Sequence, residues 1–362
     1  MIGESFAGAI QMTVTAVASA THEEIYRVEE PSVGLLGFIA VHSTQLGPAA
    51  GGLRMRPYAS EDEALTDVKR LSEGMTYKNA AAGLTLGGGK AVIIGDPAKD
   101  KSPELLRAFA RAIEGLDGRY ITAEDMGMSP ADMAILAEET RFVAGLADGE
   151  FASGDPSPIT ARGIFNAIRT TRALKHGSRD LDGVTVSVQG LGHVGWYLCQ
   201  FLHEAGAKLV VTDIDESRVE QAIADFGAKA VPLAEIYSAE ADVFAPCAIG
   251  GILNAETIPQ LKADIVAGGA NNQLATAEDG AALHARGILY APDFVANGGG
   301  IINVATEIQR IKDREGFVTE KLQALDETMA AILAQAKSAD VSPAEMAIAT
   351  VQAKMEQASK AA

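Results

Sequence analysis

Two stretches of this 362-residue sequence carry side chains whose types and spacing could do chemistry. The first is Met75-Thr76-Tyr77-Lys78-Asn79-Ala80-Ala81-Ala82-Gly83-Leu84-Thr85-Leu86-Gly87-Gly88-Gly89-Lys90, two lysines in an apolar, glycine-rich setting. Desolvation and a neighbouring cation both disfavour an ammonium, so one such lysine can act as a base near neutral pH while the other stays charged and holds a carboxylate. Ordinary surface lysines are the competing reading, and for either lysine taken singly it would win. A Walker-type phosphate loop is excluded, because Leu84 stands where its first glycine is required and Ala91 where Ser or Thr is required. Asp125 follows the strand-like run Tyr120-Ile121-Thr122-Ala123, and a carboxylate at a strand's C-terminal end is well placed for a cleft in open α/β architecture. Whether it caps the next helix or shuttles protons stays open at this point.

The second stretch is Gly190-Leu191-Gly192-His193-Val194-Gly195, a GxGxxG pattern. It follows an apolar run, Val184 to Val188, and opens an apolar helical pattern from Trp196 to Leu202, with Asp213 closing the next strand-like run. Gly190 permits a tight turn, Gly192 lets backbone amides approach a pyrophosphate, and Gly195 allows close helix–strand packing. The helix N-terminus then offers unpaired N–H groups to the anion. Asp213 can accept ribose hydroxyls and would repel a 2′-phosphate, which favours NAD over NADP, while Arg218 leaves NADP tolerance open. A glycine turn in an unrelated α/β domain is the competing reading; His193 reads as a loop residue and Cys199 as an inert core cysteine.

The elements that must position these groups follow from hydrophobic period and punctuation. Ile25 to Met55 reads as short strands and turns, Ser60 caps a helix with Leu65, Val68 and Leu71 on one face, and Ala91 to Ile94 reads as a buried strand. Helices follow from Pro103 and from Ser129 to Thr140. Gly154-Asp155-Pro156-Ser157-Pro158 is the strongest breaker cluster and the candidate hinge. Beyond it strands and helices alternate, with strands at Val184–Gln189, Lys208–Thr212, Val243–Ala245 and Ile265–Ala267, which predicts a parallel, helix-covered sheet. The length calls for two domains, and with aromatics at only 5% their cores must be built largely from Ala, Val, Ile and Leu.

Forty-eight acidic residues against 30 basic ones give a net charge of -18, a surface that repels phosphate backbones and anionic membranes. Neither nucleic acid nor membrane is expected as a partner. Two cysteines, Cys199 and Cys247, make no disulfide framework, no Cys/His spacing points to a metal, and a cytoplasmic location is expected. No apolar run approaches the roughly 20 residues of a membrane helix. Ala18-Ser19-Ala20 looks like a cleavage site, but the preceding residues lack a basic segment and a compact apolar one, so the chain up to about Thr21 reads as a loose leader.

The assembled motifs resemble the leucine, phenylalanine and valine dehydrogenase branch of the amino-acid dehydrogenase superfamily, with the cassette closest to leucine enzymes. The resemblance rests on Gly47-Pro48-Ala49-Ala50-Gly51-Gly52, the two-lysine cassette, Ile121 to Asp125, Pro156 to Thr160, Gly190 to Gly195, Gly269 to Leu274, and Tyr290-Ala291-Pro292-Asp293 through Asn297 to Val304. It implies an α/β protein of two domains: an N-terminal substrate-binding and oligomerisation domain over 1–158, a Rossmann NAD-binding domain over 159–335, and C-terminal helices over 336–362 returning to the first. It implies NAD-dependent oxidative deamination of an L-amino acid to a 2-oxo acid and ammonia, and the reverse, by a homo-oligomer. Lys78, with Gly51 nearby, would grip the substrate α-carboxylate. Lys90 would be the general base and acid that activates water, and Asp125 would assist proton movement at the substrate nitrogen. Asn271 would anchor both the substrate amine and the nicotinamide carboxamide. Thr160 and Asp213 would join the glycine loop in holding NAD, and the Pro-Ser-Pro segment could supply closure.

Side-chain preference follows from the same comparison. Glutamate enzymes of the superfamily carry a lysine in place of Ala50 and a hydroxyl residue in place of Val304, so a buried carboxylate would find no partner here. Ala123, Ile301 and Val304 would complete an apolar wall; the small Ala50 leans toward phenylalanine enzymes, and overlapping use of several apolar amino acids is expected. A hydroxy-acid dehydrogenase fits the glycine fingerprint but not the cassette, and a non-catalytic NAD-binding protein would have no need of both lysines, Asp125 and Asn271.

Overall fold

A computed structural model describes residues 12–361, and its contacts divide the chain into two compact units. One is built from the described residues up to Thr76 together with Thr85–Gly154, the other from Tyr77–Leu84 together with everything from Asp155 onward. This division at Gly154/Asp155 falls inside the Gly154–Pro158 breaker cluster, four residues before the boundary expected at 158/159. Ser157 and Pro158, expected in the hinge, already belong to a helix, because proline is tolerated in a first turn where its missing N–H has no partner to lose.

The first unit contains β1 (Thr13–Ala16), β2 (Glu24–Glu30), β3 (Leu35–Ser43), β4 (Ala49–Ala50), β5 (Leu53–Arg56), α1 (Glu61–Ala81, its end passing to the second unit), β6 (Gly87–Ile94), α2 (Pro103–Glu114), β7 (Tyr120–Ile121) and α3 (Pro130–Ala137). The sheet order is β1-β2-β3-β6-β4-β7, with β5 also on β6. β4 and β5 lie parallel to the same strand, so they are one strand interrupted at Gly51-Gly52. The loose leader expected up to Thr21 is corrected in part: Thr13–Ala16 pair antiparallel with Tyr26–Glu29 in full register, and the leader residues before 12 lie outside the described residues.

Side chains along β6 alternate between two cores, as the pleat requires. Ala91 and Ile93 pack with Ile39, Leu105, Phe109 and Ile113 on the α2 side. Val92 packs with Phe38, Ala64 and Val68 on the α1 side. Lys90 is two residues from Val92 and shares its face.

The second unit contains α4 (Ser157–His176), β8 (Thr185–Gln189), α5 (His193–Glu204), β9 (Lys208–Thr212), α6 (Glu216–Phe226), β10 (Lys229–Ala230), β11 (Val243–Pro246), β12 (Ile265–Val266), α7 (Ala277–Ala285), β13 (Leu289–Tyr290), α8 (Asp293–Ala296), α9 (Gly299–Ile308), α10 (Arg314–Ala339) and α11 (Pro343–Ala361). Its sheet is parallel throughout, ordered β10-β9-β8-β11-β12-β13. This doubly wound order reverses between β8 and β11, and ligand crevices form beyond the strand ends at such a switch point. Residues 336–362 are placed with the first domain by resemblance; the described part, 336–361, clusters with this unit, where α11 packs on α7 and β13.

Candidate active site

In the first unit, the glycine run of the cassette is not a loop but the start of β6. Glycine weakens a strand and marks places where another chain segment approaches closely. A Cβ on Gly88 would stand 2.0 Å from Thr76 Oγ1 of α1, one on Gly89 2.6 Å from the Tyr120 ring, and one on Gly51 1.9 Å from the Gly89 carbonyl oxygen. The run thus draws α1, β7 and the β4–β5 break against β6 just before Lys90, which is 5% exposed. Asp125 reaches Lys90 from the loop after β7, and Lys90 Nζ donates to Asp125 Oδ2. The Leu53 amide binds the Ala123 carbonyl at 2.8 Å and fixes that loop beside β5. Arg54 closes the cluster: its Nε and Nη2 lie 3.4 Å from Asp125 Oδ1, and its Nη1 lies 3.2 Å from Asp67 Oδ2. Tyr58 donates to the same Asp67 oxygen at 2.7 Å.

In the second unit, Lys78 Nζ donates to Asn271 Oδ1 at 3.0 Å. Asn297, 3% exposed, donates through Nδ2 to the same oxygen at 2.9 Å and to the Gly269 carbonyl at 3.2 Å. With two donors on its carbonyl oxygen, Asn271 is left to present its amide N–H₂ outward. Asn297 Oδ1 is buried with no partner, an unused acceptor beside it. Burial draws the Lys78 ammonium down to about 8, opposed by the nearby charge of Asp293. Burial also raises the Asp293 carboxyl, while the amides of Gln273 and Phe294, at 2.9 and 2.7 Å, pull it back down. Asp293 so ties the Asn271–Gln273 loop to the start of α8.

The glycine loop lies at the switch point of the parallel sheet. Gly190 has φ +98°, and a Cβ there would meet Ala248 after β11; one on Gly195 would lie 2.0 Å from the Gly190 carbonyl oxygen. Gly192 is the N-cap of α5 without a side-chain cap, so the first amides of that helix face outward. His193, expected in the loop, is the first helical residue because Gly192 already closes the turn. Asp213 directly follows β9 and accepts from the Leu191 and Asp215 amides. Arg218 is held by the Leu191 carbonyl at 3.0 Å. Thr160 bonds its own helix at the Pro156 carbonyl and faces Gly300, whose absent side chain lets α9 approach α4. Uncapped helix amides, a glycine-lined turn and a carboxylate at the next strand end fit a dinucleotide with free ribose hydroxyls. Gly195→Val is expected to abolish saturable NADH binding in a fluorescence titration, because the added side chain drives the helix off the turn.

A family model described as "Glu/Leu/Phe/Val dehydrogenase, dimerisation domain" matches residues 22–142, and one described as "Glutamate/Leucine/Phenylalanine/Valine dehydrogenase" matches 154–219 and 211–362. The chain belongs to the Glu/Leu/Phe/Val dehydrogenase family. A leucine dehydrogenase of Geobacillus stearothermophilus is 54% identical over 79% of this chain and 78% of its own length. A phenylalanine dehydrogenase of Lysinibacillus sphaericus is 49% identical over 80% and 77%. The crystal structure of an L-tryptophan dehydrogenase from Nostoc punctiforme matches with a TM-score of 0.79 at 41% identity, covering 93% of this chain and 97% of that one.

Within this dehydrogenase the predicted residues divide between the units. Lys90, Asp125, Gly51, Ala50 and Ala123 belong to the first; Thr160, the glycine loop, Asp213, Asn271, Ile301 and Val304 belong to the second. Lys78, expected in the substrate domain with Lys90, clusters with the second, because α1 passes between the units at Thr76/Tyr77. Ala50 is fully buried between β6 and β7, and Ile301 and Val304 sit one turn apart on α9. Arg54, Asp293 and Asn297 have no role in the sequence reading: Arg54 carries no motif, and the other two lie within the quoted motif without a chemical signal of their own. Arg56 stacks over Tyr58 at 4.2 Å and pairs with Glu63 at 3.0 Å. Cys199 and Cys247 are unpaired thiols raised by burial, Cys247 to about 12, and so are poor nucleophiles.

Proposed function

We propose that this dehydrogenase catalyses the NAD-dependent oxidative deamination of an apolar L-amino acid to the 2-oxo acid and ammonia, and the reverse. The observation that carries the reading is the different partnering of the two cassette lysines. Lys90 is paired with a carboxylate, as a proton-transfer group should be, whereas Lys78 donates to a neutral amide and keeps its charge for an incoming anion. Lys78 holds the substrate α-carboxylate. Asn271 presents its amide N–H₂ to a carbonyl oxygen, and Asn297 fixes that orientation. Lys90 takes the proton of the water that attacks the imino carbon, and Asp125 moves the proton at the substrate nitrogen. NAD, when bound, accepts the hydride from the substrate α-carbon. The α5 amides, the Gly190–Gly195 turn, Thr160 and Asp213 are the groups that hold it.

Ile301, Val304, Ala50 and Ala123 offer a substrate side chain no cation, so glutamate is rejected by the cost of burying its second carboxylate. The named relatives act on leucine, phenylalanine and tryptophan. One methylene is worth only about 1–3 kcal/mol of discrimination, so this enzyme takes several branched-chain or aromatic amino acids. The first unit, matched by a domain described as a dimerisation domain, carries a homo-oligomer contact. No helix among the described residues is long and apolar enough to cross a membrane.

Incubation with NAD and a panel of L-amino acids, followed as NADH formation, tests the reading. Turnover is expected with leucine, valine, isoleucine or phenylalanine and not with glutamate. Reduction of a 2-oxo acid by NADH without ammonia would overturn the deamination.

A further inference from the structure

We propose that Arg54 is a positioning residue of the proton-transfer pair, the permanent cation that holds Asp125 ionised whichever protonation state Lys90 takes. The proposal rests on the reading that Lys90 and Asp125 move protons. Its basis is the way the two oxygens of one carboxylate are divided. Lys90 approaches Oδ2 from β6; Arg54 approaches Oδ1 from β5 with two nitrogens, each 3.4 Å away. The sheet dictates this. Arg54 is in register with Val92, two residues beyond Lys90 on the same strand, so both cations project on the α1 face where Asp125 arrives from the following loop.

The arrangement is enclosed. The side chains of Arg54, Asp125 and Lys90 are 12%, 16% and 6% exposed. Asp67 of α1 anchors the guanidinium from behind through Nη1, and is itself held by the Tyr58 hydroxyl and approached by Arg56 at 3.8 Å. Among the described residues, the charged groups seen on Asp125 are Lys90 and Arg54, with the Met126 amide on Oδ1; those behind Arg54 are Asp67, Tyr58, Arg56 and, on Arg56, Glu63. A guanidinium does not titrate in the working range, and an ammonium does. When Lys90 gives up its proton, a carboxylate with no second cation would compete for it and the base would be quenched. Arg54 lowers the proton affinity of both members at once. The pair therefore titrates as a unit whose acid limb stands lower with Arg54 than without it.

The test is the pH dependence of kcat/KM for amino-acid deamination in the full-length enzyme. Arg54→Gln is expected to move the acid limb up by about 1 pH unit, from the loss of an opposite charge within contact distance, so that activity on that limb falls about tenfold at a given pH. NADH affinity, measured by fluorescence titration, is expected to stay unchanged. Arg54→Met keeps the apolar stem and is the second neutral variant; it must give the same displacement. Arg54→Lys restores the cation, and its limb is expected within about 0.3 pH unit of wild type, a small part of the full charge effect. A limb unmoved in both neutral variants, with activity lowered equally at every pH, overturns the proposal. So does a lysine variant displaced as far as the neutral ones. Failure of the parent reading is distinct: it shows in the wild-type enzyme, as no amino-acid-dependent NADH formation at any pH.

Discussion

Lys90→Ala should bind NADH as the wild type does yet deaminate its amino acid at least about 10³-fold more slowly, within the range a single general acid–base group contributes. The separation is expected because Lys90 is a β6 residue of the first unit, whereas the glycine loop, Thr160 and Asp213 are all parts of the second. Removing one partner of a buried ion pair usually destabilises strongly, since it strands the other charge. Here Asp125 keeps Arg54 and the Met126 amide on its other oxygen, so the variant should remain folded, with a melting transition that checks it. Lys90→Arg sharpens the argument. It keeps a cation beside Asp125 but cannot release a proton near neutral pH, and it should be as inactive as the alanine variant. An arginine variant with more than about a tenth of wild-type kcat would show that charge, rather than proton transfer, is what position 90 supplies.

The parallel sheet was legible because each strand there is a short apolar run bounded by turn residues: Lys208–Thr212 matches β9 at both ends, and β8 begins one residue after the predicted Val184. The cassette was legible as chemistry but not as structure. Three consecutive glycines argue against a strand on propensity, and only the neighbours that would clash with their missing side chains, Thr76 and Tyr120 among them, explain why a strand forms. Lys78 and Lys90 are close in sequence, so they read as one site element; the passage of α1 from one unit to the other separates them, and hydrophobic period does not carry that information. Arg54 was invisible for a related reason. Its importance lies in the β5–β6 register that aligns it with Val92, a long-range pairing that the sequence around Leu53–Arg56 does not encode locally. Asp293 and Asn297 were within a recognised motif, but their task, fixing the Asn271 loop and its amide, is apparent only from the hydrogen bonds they make.

Lys78→Met should raise the KM for the amino acid far more than it lowers kcat, because the lost contact is to the α-carboxylate, which is charged in ground and transition states alike. A charge-assisted contact that leaves a buried carboxylate unpartnered is worth about 2–5 kcal/mol, which sets the expected loss in kcat/KM at about 30- to 5,000-fold. The wild-type pH dependence follows from the same residue. Burial brings the ammonium down to about 8, so its charge is complete below that pH and fades above it. Binding of a 2-oxo acid to the NADH complex without ammonia removes the substrate amine from the titration. Its affinity should be flat below pH 8 and then weaken about tenfold per pH unit. In Lys78→Met that dependence should vanish, leaving uniformly weak binding. Asp293→Asn should shift this dependence in a defined direction. Asp293 opposes the desolvation of Lys78, so without its charge the ammonium is lost at lower pH and the break should move below 8. Folding stability runs the other way. The native lysine releases its proton before the unfolded one does, so between about pH 8 and the ordinary lysine range stability should rise with pH while substrate affinity falls. Affinity and melting temperature moving together across that window would show that the titrating group is not Lys78.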